Sequence, residues 1–131
     1  MNDIFDRYPE LSVCEADMKK AVEMMCETYY SGGKILVCGN GGSCADSEHI
    51  VGELMKSFTL ARKIPEGDKN KLVSLLGEDE ADSFSNNLQC GIPAFSLCSQ
   101  SGVMTAYNND VNPDMVYAQL YMRAEKKKIY L

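Results

Sequence analysis

The stretch that decides the fold is ILVCGNGGSCAD, residues 35–46. Its first four residues are apolar and follow Gly32 and Gly33, which is typical of a short buried strand. A glycine-rich turn then leads into residues 46–58, which have the pattern of a helix. A strand, a glycine-rich turn and a helix present backbone N–H groups and a helix N-terminus to an anion. The stretch therefore predicts a site for a phosphorylated ligand.

Length and composition indicate one soluble globular domain. The chain has 131 residues, of which 45% are hydrophobic and 24% are charged. A net charge of −6 argues against direct binding of nucleic acid, and the one lysine cluster, residues 126–128, is typical of a solvated helix end. No apolar run is long enough to span a membrane, and the N-terminus does not resemble a signal peptide. We therefore expect a cytoplasmic protein without a membrane partner.

The chain has six cysteines, and the sequence around them indicates whether they are free thiols or form disulfides. Cys26 and Cys38 lie in apolar periodic segments, where a free cysteine behaves as a small hydrophobic residue. No two cysteines have CxxC spacing, which argues against a zinc–thiolate site. A disulfide framework is the alternative, but the sequence favours reduced thiols.

Before the strand, residues 11–31 predict a long amphipathic helix, because apolar residues recur there at spacings of three and four. Ser12 with Glu15 has the pattern of a capping box, and Gly32 with Gly33 predicts the helix end.

Residues 61–89 form a polar insertion with short apolar runs, which predicts one or two short helices. Such an insertion is either a lid over a site or a solvated excursion. Residues 92–98 predict a second strand, and residues 102–107 a short helix followed by a polar loop at 108–110. Asn112 and Pro113 predict the start of a helix that runs to about residue 127.

This order of elements predicts an α/β domain with a parallel sheet. Two strands are too few for a doubly wound sheet, and an apolar ending at residues 129–131 reads as the start of a third. We expect either a shortened version of a longer protein or a small domain that borrows its missing layer from a partner subunit.

His49 and Glu53 are one helical turn apart and share a helix face. For an arbitrary pair, the usual interpretation is a surface hydrogen bond. His49 is, however, the single histidine of the chain, and its helix starts at the predicted anion site. Imidazole and carboxylate suit zinc, although two ligands do not complete a tetrahedral site.

Residues 34–54, KILVCGNGGSCADSEHIVGEL, resemble the opening of the sugar isomerase (SIS) domain of phosphoheptose isomerases. These enzymes isomerise sedoheptulose 7-phosphate and share their fold with a DnaA-associating regulatory protein. The resemblance extends from about residue 11 to residue 119 and is interrupted by the insertion at 61–89. It implies a flavodoxin-like parallel sheet, preceded by the long N-terminal helix, of which only the N-terminal part is present as a single partial domain, 1–131.

The resemblance also implies a homotetramer, a sugar-phosphate ligand, zinc and proton transfer between adjacent sugar carbons. Zinc would be bound by His49 and Glu53, and Glu53 would also move the proton. The residues implied to contact the substrate are Asn40, Gly41, Gly42, Ser43, Asn109 and Asp110.

Two features of the family are missing from this sequence, namely a serine-rich phosphate loop and a later Gln and His that complete the zinc site. Two functions therefore stay open. One is an isomerase-type protein that is inactive or impaired as this chain. The other is a non-catalytic sugar-phosphate-binding or DnaA-associating regulator.

Overall fold

The computed structural model describes residues 2–124, which form a predominantly helical α/β protein. The chain divides into two compact units, Met1–Ile35 and Leu36–Leu131. The strands of the described part are β1 (Ile35–Val37) and β2 (Ala94–Ser96). Its helices are α1 (Asn2–Arg7), α2 (Glu15–Tyr30), α3 (Gly42–Met55), α4 (Glu66–Leu76), α5 (Glu78–Asn87), α6 (Ser101–Asp110) and α7 (Val116–Ala124). In residues 2–124, no helix combines the length and the apolar character needed to cross a bilayer.

The first unit consists of α1, a 3-10 turn at Pro9–Cys14, and α2. The predicted capping box is wrong, because Ser12 lies inside the 3-10 turn and α2 begins only at Glu15, with no side chain capping it. The Glu15 side chain pairs instead with Lys19 at 2.6 Å. The predicted glycine ending is confirmed: Gly32 has φ of +70°, and the Gly33 N–H donates to the Thr28 carbonyl at 2.8 Å.

In the second unit, α3 covers one face of β2. Ala94 and Ser96 are buried, while Phe95, between them, is about half exposed on the opposite face. β1 and β2 are parallel neighbours, which confirms the α/β class with a parallel sheet. Each strand is three residues long, shorter than predicted. β2 ends early because Leu97–Ser99 form a 3-10 turn, in which the Cys98 N–H donates to the Ser96 hydroxyl.

The helix predicted at residues 46–58 is shifted toward the N-terminus, since α3 starts at Gly42 and ends at Met55. Its end is set by a tertiary contact. The Leu54 carbonyl, which a longer helix would pair with the Phe58 N–H, accepts from the Ile92 N–H at 2.9 Å and from Arg62 Nη2 at 2.8 Å. Phe58 therefore lies outside the helix, largely exposed.

The insertion at residues 61–89 is a helical hairpin of α4 and α5, so the expectation of short helices is confirmed. Ala81 is fully buried, and Lys69 on α4 pairs with Asp82 on α5 at 2.8 Å. An antiparallel bridge between Lys63 and Gln89 closes the base of the hairpin. Whether the hairpin acts as a lid stays a prediction.

The last described elements are α6, a 3-10 turn at Pro113–Met115, and α7. The predicted loop at 108–110 is wrong, since these residues form the last turn of α6. The Asn112 cap is confirmed: its side chain accepts from the Asp114 N–H at 2.9 Å. The predicted helix end near residue 127 and the third strand at 129–131 lie outside the described residues.

Candidate functional site

The glycine-rich turn between β1 and α3 depends on two glycines for different reasons. Gly41 has φ of +59°, a conformation that residues with a side chain rarely adopt. Gly39 is packed against the start of α3, because a Cβ atom there would lie 2.4 Å from the Ser43 carbonyl oxygen. The turn therefore folds back on the helix it precedes, and its backbone is held close to the first turn of α3.

Backbone donors remain available at this helix start. The Ser43 N–H donates to the Asn40 carbonyl at 3.2 Å, and the Cys44 N–H donates to the Gly41 carbonyl at 3.1 Å. Within the described part of the chain, the N–H groups of Gly41 and Gly42 have no hydrogen-bond partner. Both glycines are exposed, and the first turn of α3 carries no acidic residue. The partial positive charge of the helix N-terminus is therefore open to an anion from solution.

A buried polar cluster lies directly beneath the turn and is centred on the Cys98 thiol. The Gly39 N–H donates to Cys98 Sγ at 3.3 Å, and Sγ lies 3.2 Å from the Gly39 carbonyl oxygen. Tyr117 on α7 donates its hydroxyl to the same carbonyl at 2.7 Å. The Ser47 hydroxyl lies 3.3 Å from Cys98 Sγ, 2.8 Å from Ser96 Oγ and 2.8 Å from the Cys44 carbonyl oxygen. These bonds connect α3, β2 and α7 to the turn.

The cluster changes the acidity of its own members. Burial by itself raises the pKa of Cys98, but hydrogen bonds from Ser47, Tyr117, the Gly39 N–H and Cys44 stabilise the thiolate and together lower that pKa to about 7. The hydrogen bond to Cys98, together with burial, raises the pKa of Tyr117 to about 12. The same interaction with Cys98 raises the pKa of Cys44. The cluster thus favours ionisation of Cys98 over ionisation of Cys44 and Tyr117.

His49 and Glu53 share one face of α3, as predicted. His49 Nε2 lies 3.6 Å from Glu53 Oε1, and both side chains are more than half exposed. Together with Asp46 they line an open cavity of about 640 Å³ along the helix. Given the rise of a helix per residue, His49 lies about 10 Å along the axis from Gly42. The pair therefore lies about two helical turns beyond the glycine-rich turn on the same helix.

The donor set for zinc is incomplete in the part of the chain that the structure describes. Residues 2–124 hold no group of three or more His, Cys, Asp or Glu side chains arranged to bind a metal. His49 and Glu53 are chemically suitable ligands, but they account for two positions of a tetrahedral site.

Asn109 and Asp110 occupy the exposed last turn of α6, where the Asn109 amide donates to Asp110 Oδ1 at 2.7 Å. No hydrogen bond among the described residues connects them to the glycine-rich turn. The structure thus brings the turn residues, His49 and Glu53 onto α3 and its N-terminus, and it does not bring Asn109 and Asp110 into hydrogen-bonding contact with them.

Cys98, Ser47 and Tyr117 were not among the sequence-predicted site residues. Each lies in an apolar or amphipathic segment, where the periodic pattern indicates packing and does not single out one polar side chain. The available clue was the pair Ser96 and Cys98 at the end of a strand, because the carboxyl ends of parallel strands are where α/β sites form.

Comparison with known proteins finds similarity that includes the glycine-rich turn. Residues 6–68 match the family model described as SIS domain. The chain is 27% identical to a phosphoheptose isomerase of Synechocystis over 82% of its length, and 31% identical to one of Roseiflexus over 74%. It is 37% identical to a phosphoheptose isomerase of Campylobacter jejuni over 57% of its length.

The chain therefore contains a segment, residues 6–68, that is similar to a SIS domain, on a fold of the α/β class. More particularly, the chain is distantly similar to phosphoheptose isomerases. The chain spans 41%, 36% and 42% of the length of these three relatives.

Proposed function

We propose that this chain binds a sugar phosphate at the glycine-rich turn, in a site of the aldose–ketose isomerase type on a flavodoxin-like sheet. The observation that carries the proposal is the pair of N–H groups of Gly41 and Gly42 at the start of α3, for which residues 2–124 provide no hydrogen-bond partner. They lie in a helix N-terminus free of acidic residues, within the segment that matches the SIS domain. Main-chain amides and a helix dipole favour a phosphate group over a neutral sugar.

In this proposal the turn residues Asn40, Gly41, Gly42 and Ser43 contact the ligand, and Glu53 is the carboxylate that moves a proton between adjacent sugar carbons. Glu53 is suited to this role because it is half exposed and lines an open cavity on the same helix as the turn. A base must reach the carbon-bound proton, and the enediolate that forms needs a positive partner or donor nearby. His49, 3.6 Å from Glu53, orients the carboxylate. Asn109 and Asp110 are proposed to bind sugar hydroxyls.

For zinc, we propose only that His49 and Glu53 provide two of the ligands. The other ligands would come from outside the described residues. When bound, zinc would polarise the sugar carbonyl. Because the described ligand set is half complete, we expect the 131-residue chain alone to bind the ligand without converting it above the uncatalysed rate. Turnover of sedoheptulose 7-phosphate that disappears in Glu53→Gln would contradict this expectation.

We also propose that the chain forms a homo-oligomer, a tetramer by analogy with the family, and that it is located in the cytoplasm. Neither nucleic acid nor a membrane is proposed as a direct partner. The regulatory alternative, in which the chain binds a sugar phosphate or a DnaA-type protein without catalysis, differs in leaving Glu53 without a role.

Titration calorimetry with sedoheptulose 7-phosphate tests the site, with unphosphorylated sedoheptulose as the ligand control. Gly42 is the first residue of α3, where proline is tolerated, so Gly42→Pro removes one N–H while the helix start is retained. Gly42→Ala is the matched control, because it keeps the N–H and its Cβ meets no atom within 4 Å.

We expect Gly42→Pro to weaken binding about tenfold or more, since a hydrogen bond to a charged group contributes about 1.5–3 kcal/mol. Gly42→Ala should bind like the natural chain. Equal affinity for the phosphorylated and unphosphorylated sugars, or no effect of Gly42→Pro, would contradict the proposed phosphate site. No binding of either sugar would favour the regulatory alternative with a protein partner.

A further inference from the structure

A small cavity of about 160 Å³ lies at the base of the helical hairpin of α4 and α5, where the chain enters and leaves the insertion. The antiparallel bridge and the hydrogen bond from the Cys90 N–H to the Arg62 carbonyl, at 2.8 Å, join the two segments that form it. The cavity shares no residue with the glycine-rich turn or with the cavity beside His49 and Glu53. Its polar lining residues are Arg62, Lys63, Ser85, Asn86 and Gln89.

The lining of this cavity is positively charged, although the chain as a whole is acidic. The sequence has 19 Asp and Glu residues against 13 Lys and Arg residues. Among the described residues that line the cavity, however, are Arg62 and Lys63 and no acidic residue. In the described part of the chain, no carboxylate pairs with either of these side chains. Two cationic groups without a carboxylate partner favour an anionic ligand.

The Arg62 guanidinium is held in place by α3 and still has unused donors. Its Nη2 donates to the Leu54 carbonyl at 2.8 Å and lies 3.4 Å from the Glu53 carbonyl oxygen. Its Nε is buried and has no hydrogen-bond partner within residues 2–124. Nη1 makes no hydrogen bond to a described residue either and, unlike Nε, is accessible to solvent. A planar guanidinium fixed in this way matches the oxygens of a phosphate group.

The Gln89 side chain is also fixed by a contact outside the cavity. Its Oε1 accepts from the Ser57 N–H at 2.8 Å and from the Ser57 hydroxyl, and Ser57 is buried. Because a backbone N–H only donates, this contact identifies the carboxamide oxygen and leaves the NH2 group as the other end. That NH2 group has no hydrogen-bond partner among residues 2–124. The cavity thus has two side chains whose orientation is set before a ligand arrives, which lowers the entropic cost of binding.

We propose that this cavity binds a single phosphate group, held by Arg62 and Lys63 with the Gln89 amide as a further donor. The cavity is smaller than the pockets of about 300–1,000 Å³ that hold drug-sized ligands, so it suits one small group. A phosphate has several acceptor oxygens and therefore uses donors from three side chains at once. The group is either free phosphate or the phosphate of a small ester. This site is independent of the function proposed for the glycine-rich turn.

Titration of the ¹⁵N-labelled natural chain with inorganic phosphate at constant ionic strength, followed by NMR, tests the site. We expect the side-chain signals of Arg62 Nε–H and Gln89 NH2 to change along one saturable curve. The backbone amides of Gly41 and Gly42 report on the glycine-rich turn in the same titration. Changes at Gly41 and Gly42 alone would overturn the hairpin site and support the proposed function. Changes at Arg62 and Gln89 alone would support the hairpin site and contradict a phosphate site at the turn.

Lys63→Gln is the first variant, because Lys63 is exposed and its side chain has no hydrogen-bond partner in residues 2–124, so the fold should persist. Lys20→Gln on α2 is the matched control, since it makes the same change in net charge at another exposed lysine. We expect Lys63→Gln to weaken phosphate binding about two- to fivefold, as is typical of an exposed charge pair, and Lys20→Gln to bind like the natural chain. Equal weakening by both variants would overturn the site, because the effect would then come from net charge.

Arg62→Lys keeps the charge but removes the planar fork, and we expect it to weaken phosphate binding about tenfold. It also assigns the Arg62 Nε–H signal, and the Lys63→Gln comparison decides if this variant does not fold. Natural affinity in both Arg62→Lys and Lys63→Gln would overturn the proposal and leave the two cations with a role only at the ends of α3 and α5.

Two further ligands identify the source of the phosphate group. Tighter binding of methyl phosphate than of inorganic phosphate would support the phosphate of an ester, and the reverse order would support free phosphate. Acetate, at the same ionic strength, should bind more weakly than either, because it has fewer acceptor oxygens. Acetate binding as tight as that of phosphate would overturn the assignment of a phosphate group.

Discussion

Replacing Gly39 by alanine tests whether the glycine-rich turn is held against α3 as closely as the structure indicates. The new Cβ would lie 2.4 Å from the Ser43 carbonyl oxygen and 2.6 Å from Ser43 C and Cβ. The first of these contacts is about 1 Å shorter than ordinary van der Waals contact. Its neighbours are mostly backbone atoms, so no side-chain rotation relieves the overlap. Either Gly39 or the first turn of α3 must move.

The expected loss of stability has two sources, the overpacked contact and a hydrogen bond that the movement breaks. Overpacking in a tight contact costs about 1–3 kcal/mol. A shift of about 1 Å also lengthens the 2.7 Å bond from Tyr117 to the Gly39 carbonyl beyond hydrogen-bonding distance, which costs about 1 kcal/mol more. We therefore expect Gly39→Ala to lower the free energy of unfolding by about 2–4 kcal/mol.

Urea denaturation followed by circular dichroism at 222 nm measures this change, because the described chain is predominantly helical. Gly52→Ala is the control. Gly52 lies within α3 with no atom within 4 Å of the added Cβ, so alanine should raise the free energy of unfolding by about 0.5–1 kcal/mol through its helix propensity.

The two glycines lie in the same strand–turn–helix segment, yet Gly39→Ala should lower the free energy of unfolding and Gly52→Ala should raise it. A Gly39→Ala protein as stable as the natural chain would refute the close approach of the turn to Ser43. A destabilisation as large in Gly52→Ala would show that alanine is not tolerated in α3 for reasons other than this contact.

Tyr117→Phe should lower the free energy of unfolding by about 1 kcal/mol, because it removes the donor to the Gly39 carbonyl. It should also raise the pH midpoint of Cys98 alkylation by iodoacetamide, and an unchanged midpoint would count against the cluster. Stability should rise with pH from about 7 to 9, since folding lowers the pKa of Cys98 to about 7 from its ordinary 9.0 and the unfolded chain binds more protons in that window. It should fall again above pH 10, because the folded pKa of Tyr117 is raised to about 12; urea midpoints that are flat across both windows would contradict these pKa shifts. Ala81→Leu should lower the free energy of unfolding by about 1–3 kcal/mol, because it overpacks the α4–α5 hairpin. Ala118→Leu, on the exposed side of α7, should leave the urea midpoint unchanged.

Much of the local structure was predictable because it depends on neighbouring residues. The order of strand, glycine-rich turn and helix followed from an apolar run and the glycines after it. The cap at Asn112 followed from a side chain that reaches an N–H two residues away. The shared face of His49 and Glu53 is a consequence of helix periodicity alone.

The ends of the elements were predicted less well, since distant residues determine them. Helix α3 stops at Met55 because Ile92 and Arg62, both outside it, take the Leu54 carbonyl. The capping box at Ser12 and Glu15 failed because a 3-10 turn displaced the helix start by a few residues. Boundaries of this kind depend on competition for one hydrogen-bonding group, which sequence pattern does not reveal.

The sequence by itself determined the α/β class, the position of the glycine-rich turn and the resemblance to the SIS domain, because each of these depends on residues that are close together along the chain. Only the tertiary structure decided what lies beneath the turn. Cys98, Ser47 and Tyr117 come from three different elements, and their hydrogen bonds to one another and to Gly39 exist only once α3, β2 and α7 are packed together. The lowered pKa of Cys98 arises from that packing.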